Sequence, residues 1–286
     1  MAALNLFSLL NGLTFAALLF LVAAGFTLIF GLLRIVNLAH GAIYLAGGYM
    51  GYSAAVLSGS FALGVLGAMA GAAALGLVLD HGLLGFVRGF ELRQVLLTLG
   101  VALVIDDLCL VTWGGDTLSV PIPPVLSGAA HFAGVYYPRF RLFVLALGVV
   151  VFCGLWLLLH RTRLGALIRA GVDDTETISA MGVDIQRIFL ITFLLGAALA
   201  GLGGVVGGAF LTLYPGADSE ILVFSLAVVV IGGRGSLAGA AVGALLVGLL
   251  NAIGQVMFPE LDYFVIFGPM AAILAFRPLG LFGRAA

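Results

Sequence analysis

The 286-residue sequence contains no lysine, only two cysteines and little charge, and each shortage excludes something. A phosphate-binding loop of the GxxxxGK[ST] type needs its lysine, so no such nucleotide site exists on this chain. With arginines scattered singly and a formal net charge of −1, there is no basic run for a nucleic acid either. Cys109 and Cys153 sit in apolar runs with no metal-ligand pattern around them, which leaves them to packing. His81, His131 and His160 are likewise spaced without such a pattern. No Ser/His/Asp or Glu/His constellation stands at catalytic spacing, so neither enzyme activity nor a resident cofactor is expected.

Charged residues make up 9% of the chain, against about 25% in an ordinary soluble domain. Hydrophobic residues make up 63% and the mean hydropathy is +1.27. Apolar runs of about 20 residues, enough to cross a bilayer as helix, recur from end to end. A β-barrel would alternate polar and apolar, whereas LALGVVVFCGLWLLL at 145–159 is apolar on every face. The expected fold is an all-α integral membrane bundle of eight to nine spans, a single domain over 1–286. The spans fall near 12–33, 41–58, 61–79, 94–112, 141–159, 187–211, 221–232, 237–256 and 262–277. The first 33 residues lack a signal-peptide cleavage site and read as a retained span. The 42 glycines are about twice the usual share and predict close helix contacts, as in GAMAGAAALG at 67–76.

Orientation rests on arginine alone. Arg34, Arg88, Arg93, Arg161, Arg163, Arg169, Arg187, Arg277 and Arg284 fall on one side, Arg139 and Arg141 on the other. By the positive-inside rule the N-terminus is predicted outside and the C-terminus inside, with the longest outer segment at 113–139. Trp113 and Trp156, at span ends, read as interface anchors.

Two interruptions look alike. VNLAHG (36–41) and GGRGSLAG (232–239) each separate two apolar halves, the pattern of discontinuous helices from an internal repeat. Such breaks survive in a membrane only where protein or a water-filled cavity satisfies the freed backbone groups, which points to a pathway near both. Asn37, His40, Gly41, Gly232, Gly233 and Arg234 are the candidate pathway residues. Asn37 and His40 either face that pathway or only cap the interrupted helix. Arg234 either faces a cavity, where it would attract a carboxylate, or is one more inner-side arginine.

At these residues a family resemblance emerges. The stretches GFTLIFGLLRIVNLAHGAIYLAGGYM (25–50), RLGALIRAGVDDTETISAMGVDIQRIFLITFLLGAALAGLGGVVGG (163–208) and AVVVIGGRGSLAGAAVGALLVGLL (227–250) together resemble the permeases of branched-chain amino acid ABC importers, with the NxAHG-type break. The resemblance covers nearly the whole chain. It implies a dimer of permease chains, hetero or homo, two cytoplasmic ATP-binding subunits that hold the ATP, and an external substrate-binding protein. All would work at a bacterial cytoplasmic (inner) membrane. Relatives carry leucine, isoleucine and valine, but also other amino acids, urea, short amides or aromatic acids, so the machine is better specified than its cargo.

The polar island GVDDTETISAMGVDIQRI (171–188) then resembles the family's cytoplasmic coupling segment, placed at about 171–186. Asp173 or Asp174 can cap a helix start, and these acids with Glu176 favour its positive end. Ile178 and Met181 share one face, and Gly182 can close the helix. A plain solvated loop is the alternative. Asp106 and Asp107, adjacent acids inside an apolar run, depart from a Gln-Asn pair usual in the family and are possible selectivity residues. They also motivate a second reading, a carrier or channel driven by an ion gradient, in which they bind a proton or cation; alternatively, about two thirds of the way along an outward-running span, they simply reach the outer headgroup region. A non-transporting scaffold subunit is a third reading, against which the paired breaks speak.

Overall fold

The computed structural model describes residues 6–283 other than Arg34, Ile35, Arg88, Ala133, Asp174, Arg234 and Phe258. The described residues form a helical bundle of eleven α-helices with one small hairpin. Helix α1 (Leu6–Leu33) leads into α2 (Ala39–Ser58) and α3 (Phe61–Leu77), which continues through π- and 3₁₀-helical turns to Val87. Helix α4 (Glu91–Trp113) is followed by the antiparallel hairpin Ala129–Phe132 and Val135–Pro138, and then by α5 (Arg139–Arg161). Helices α6 (Arg163–Asp173) and α7 (Thr175–Ala180) precede α8 (Ile185–Phe210). The chain ends through α9 (Ala217–Gly232), α10 (Leu237–Met257) and α11 (Asp262–Phe276).

Among the described residues, six helical stretches are long and apolar enough to cross a membrane: Leu6–Gly31, Phe61–Val87, Glu91–Trp113, Arg139–Arg161, Ile185–Phe210 and Leu237–Met257. Helices α9 and α11, of 16 and 15 residues, give about 24 and 22 Å of rise, short of a core of about 30 Å. Every predicted span is helical, but residues 163–173, expected in a loop, form α6. Its apolar positions explain why: Leu164, Leu167, Ile168 and Val172 recur at helical spacing, and Ile168 is buried.

Helices α1, α2, α8, α9 and α10 make the centre, with α3 packed on α2 and α8 by one face, and glycine is what lets them approach. A methyl group added at Gly47 of α2 would lie 2.6 Å from the Gly201 Cα of α8. One at Gly12 of α1 would lie 2.9 Å from the Gly248 carbonyl of α10. Few other side chains would permit either approach.

Between α4 and α5, the hairpin folds back on the N-terminal part of α1. Its Tyr137 is buried, 2.8 Å from the Thr14 hydroxyl, and donates to Asn11 Oδ1 at 3.2 Å. The α8–α9 link is held by a backbone bridge in which Leu118 and Leu213 exchange N–H···O bonds of 2.9 and 2.7 Å.

Candidate functional site

The first break is built around Val36–Ala39. Asn37 is buried, and its Oδ1 accepts the Ala39 N–H at 3.1 Å, while the Leu38 N–H donates to Thr98 Oγ1 of α4 at 3.2 Å. His40 is fully buried, its Nε2 3.0 Å from the Val22 carbonyl and its ring edge-on to Phe26 at 5.3 Å. A carbonyl only accepts, so Nε2 carries the proton and Nδ1 is left as an acceptor. Val22 stands in the middle of α1, so α2 begins partway along the bundle rather than at its end. Asn37 Nδ2 and His40 Nδ1 are buried with no partner among the described residues. Gly41 faces α9, where a methyl group would collide with the Asp218 carbonyl and lie 2.9 Å from Leu222 Cβ.

The second break is held by the C-terminal segment. Helix α9 ends at Gly232, and Gly233 takes φ 97°, a conformation open to glycine. The last carbonyls of α9 accept from beyond α11: Leu281 N–H to Ile231 O at 2.9 Å and Phe282 N–H to Gly232 O at 3.0 Å. Gly232 packs against Gly239, whose N–H donates to Ser236 Oγ at 3.0 Å to start α10. Arg234 lies outside the described residues.

At one end of the bundle a cavity of about 350 Å³ opens between α1, α2, α5, α8, α9 and α10. Its polar lining includes Asn11, Tyr44, Arg141, Tyr214, Glu220 and Asn251. Arg141 donates to Asn11 Oδ1 and stands over the Phe210 ring at 5.1 Å. Tyr214 donates to Glu220 Oε2 at 2.7 Å. The apolar wall includes Phe15 and Phe224, edge to face at 5.5 Å, beside Ile221. Gly207 leaves the space that the Tyr44 hydroxyl fills. Sequence reasoning assigned none of these polar residues to a pathway. The available signal was PGADSEIL, acids ahead of an apolar run too short to cross.

Asp106 and Asp107 part company. Asp107 is exposed on the bundle surface, whereas Asp106 is half-buried on the side of α4 that faces Asp218 of α9. The Oδ1 atoms of Asp106 and Asp218 are both buried without a donor among the described residues. Trp113, at the end of α4, stacks on Tyr49 at 5.1 Å and donates to Ser53 Oγ at 2.7 Å, so it also ties α4 to α2.

Helices α6 and α7 lie between the C-terminal end of α5 and the N-terminal end of α8; the cavity lies at the opposite ends of both. Asp173 is the last residue of α6, not the start of a helix; Asp174 and the side chains of Asp173 and Glu176 lie outside the described residues. After α7, Met181 and Gly182 donate their N–H groups to Thr177 O at 3.1 Å and Ser179 O at 3.0 Å, and Gly182 takes φ 83°. That is a glycine-closed helix end. Ile178 is partly buried, while Met181 is 74% exposed. Asp184 then caps α8, accepting the Arg187 N–H at 3.2 Å and pairing with its Nε at 2.8 Å.

The sequence pattern of the family described as branched-chain amino acid transport system / permease component matches residues 8–274. The chain belongs to this permease family. The permease is 28% identical over 293 residues to the high-affinity branched-chain amino acid transport system permease protein BraD of Pseudomonas aeruginosa, covering 96% of this chain and 95% of that protein. It is 26% identical over 295 residues to the corresponding LivH protein of Escherichia coli, covering 96% and 94%. A shorter similarity, 33% over 109 residues and 36% of this chain, reaches the ribose import permease protein RbsC of Escherichia coli. No solved structure matches the chain. Family membership favours the permease reading over a carrier built on Asp106 and Asp107.

Proposed function

We propose that this permease is the membrane passage of an ATP-driven, binding-protein-dependent importer for branched-chain amino acids. The observation that carries the proposal is similarity over 96% of the chain to two proteins named for that transport. The chain works as a multi-pass protein of a bacterial cytoplasmic membrane, N-terminus outside and C-terminus inside. It pairs with a second permease chain, with two ATP-binding subunits on the α6–α7 side and an external binding protein on the cavity side.

In this reading eight to nine segments cross or enter the membrane, and the breaks before α2 and after α9 are equivalent features of an internal repeat. Asn37, His40, Gly41, Gly232, Gly233 and Arg234 lie along the pathway. Residues 171–186 form the coupling segment, with Met181 as its exposed apolar contact and Ile178 anchoring α7 from beneath. Nucleotide state moves the segment, and the bundle alternates between a cavity open outward and one open inward. Coupling of this kind is reciprocal, so cargo release and nucleotide exchange bias each other.

The direct test is affinity purification of the tagged chain from its native membrane, with copurifying proteins identified by mass spectrometry. An ATP-binding subunit should accompany wild type and be lost with Met181→Asp at equal amounts of membrane-inserted chain. Retention of that subunit by the variant would remove the segment from the interface.

A further inference from the structure

We infer that the cavity at the α8 C-terminal end is a binding site for a zwitterionic, aliphatic α-amino acid, in which Arg141 takes the carboxylate and Glu220 the ammonium. The inference rests on the permease reading above and adds the site and its ligand contacts.

Arg141 and Glu220 both line the cavity, and neither is used up in an ion pair among the described residues. A guanidinium presents planar paired donors that match a carboxylate, and it is held here by Asn11 and the Phe210 ring. Glu220 is oriented by the Tyr214 hydroxyl, and a carboxylate is the natural acceptor for the three donors of an ammonium group. Phe15, Ile221 and Phe224 supply the apolar wall that an aliphatic side chain needs. A cavity of about 350 Å³ is at the small end of ligand sites, suited to a single amino acid rather than a peptide.

The backbone adds a separate sign. Thr212, which also lines the cavity, is the one non-glycine residue among the described residues with a positive φ, 83°. A threonine there is strained, and such strain persists where surrounding structure enforces it and collects at ligand sites. The enforcing contact is the Leu118–Leu213 bridge at the next residue.

Saturation-transfer NMR on the purified permease complex, without the external binding protein, tests the site directly. The probes are L-leucine, 4-methylpentanoate, which lacks the ammonium, and 3-methylbutylamine, which lacks the carboxylate. Leucine should bind and both analogues should bind at least about tenfold more weakly, as expected when one side of a charge contact is left unmatched. Glu220→Gln, which keeps an acceptor for Tyr214, should remove the preference for leucine over 4-methylpentanoate. Arg141→Gln should remove the preference over 3-methylbutylamine. Arg139→Gln, an exposed arginine nearby that does not line the cavity, should change neither. If wild type shows no such preferences, or Glu220→Gln retains the preference over 4-methylpentanoate, or Arg141→Gln retains that over 3-methylbutylamine, the assignment of this cavity is overturned, while ATP-driven leucine uptake by the same complex would leave the permease reading standing. If the complex neither binds leucine nor takes it up with ATP, both fall.

Discussion

Gly47 and Gly201 show how single residues set this bundle. With a methyl group at Gly47 only 2.6 Å from the Gly201 Cα, the obstacle is backbone and cannot rotate away. Gly47→Leu should therefore force α2 from α8 at a cost of about 1–3 kcal/mol, read as lower thermal stability in detergent and less inserted chain. Unchanged stability would mean that the two helices are not in contact. The abundance of glycine was legible in the sequence, and so was the closeness it permits, but not which glycines meet. The acids divide the same way: Asp106 and Asp107 stand out in ALVIDDLCLV, yet only the fold reveals that Asp106 faces Asp218 while Asp107 faces outward. Arg141 and Glu220 were invisible as a pair because Arg141 sits at a span end and Glu220 in the first turn of a helix, each an ordinary place for its charge.

At the scale of elements, long apolar runs announced their helices, since only helices satisfy their own backbone inside a membrane. The break at 36–41 was equally legible, because polar residues between two apolar halves have few other uses. Its placement was not: that α2 starts beside the middle of α1 follows from the His40–Val22 hydrogen bond, a contact between segments. Helix α6 was overlooked because it is short and lies in an arginine-rich stretch, although its apolar spacing was present. The proposed orientation places α7 inside and the 113–139 segment outside. In a chain whose Cys109 and Cys153 are replaced by alanine, Ser127→Cys should react with an impermeant maleimide added to intact cells. Ser179→Cys should react only after the membrane is opened. Both positions are exposed, so the reverse pattern would invert the topology.

Across the whole molecule, α8, like α5, runs between the two ends. Its 26 residues give about 39 Å of helix, with the α6–α7 segment at its start and the cavity at its finish. Its middle is packed on glycines against α1, α2 and α3, and the α6–α7 segment reaches its start through the turn at 181–184. That is the physical content of coupling in this account: an exposed peg at one end, a charged cavity at the other, and a packed helix between them. The most direct measurement is leucine uptake into proteoliposomes holding the complex and supplied with the loaded binding protein, with and without ATP on the segment side. Wild type should accumulate leucine against its gradient only with ATP, and Met181→Asp should lose that accumulation. Uptake that ignores ATP, follows an imposed ion gradient and disappears when Asp106 and Asp107 are changed to asparagine would contradict the account.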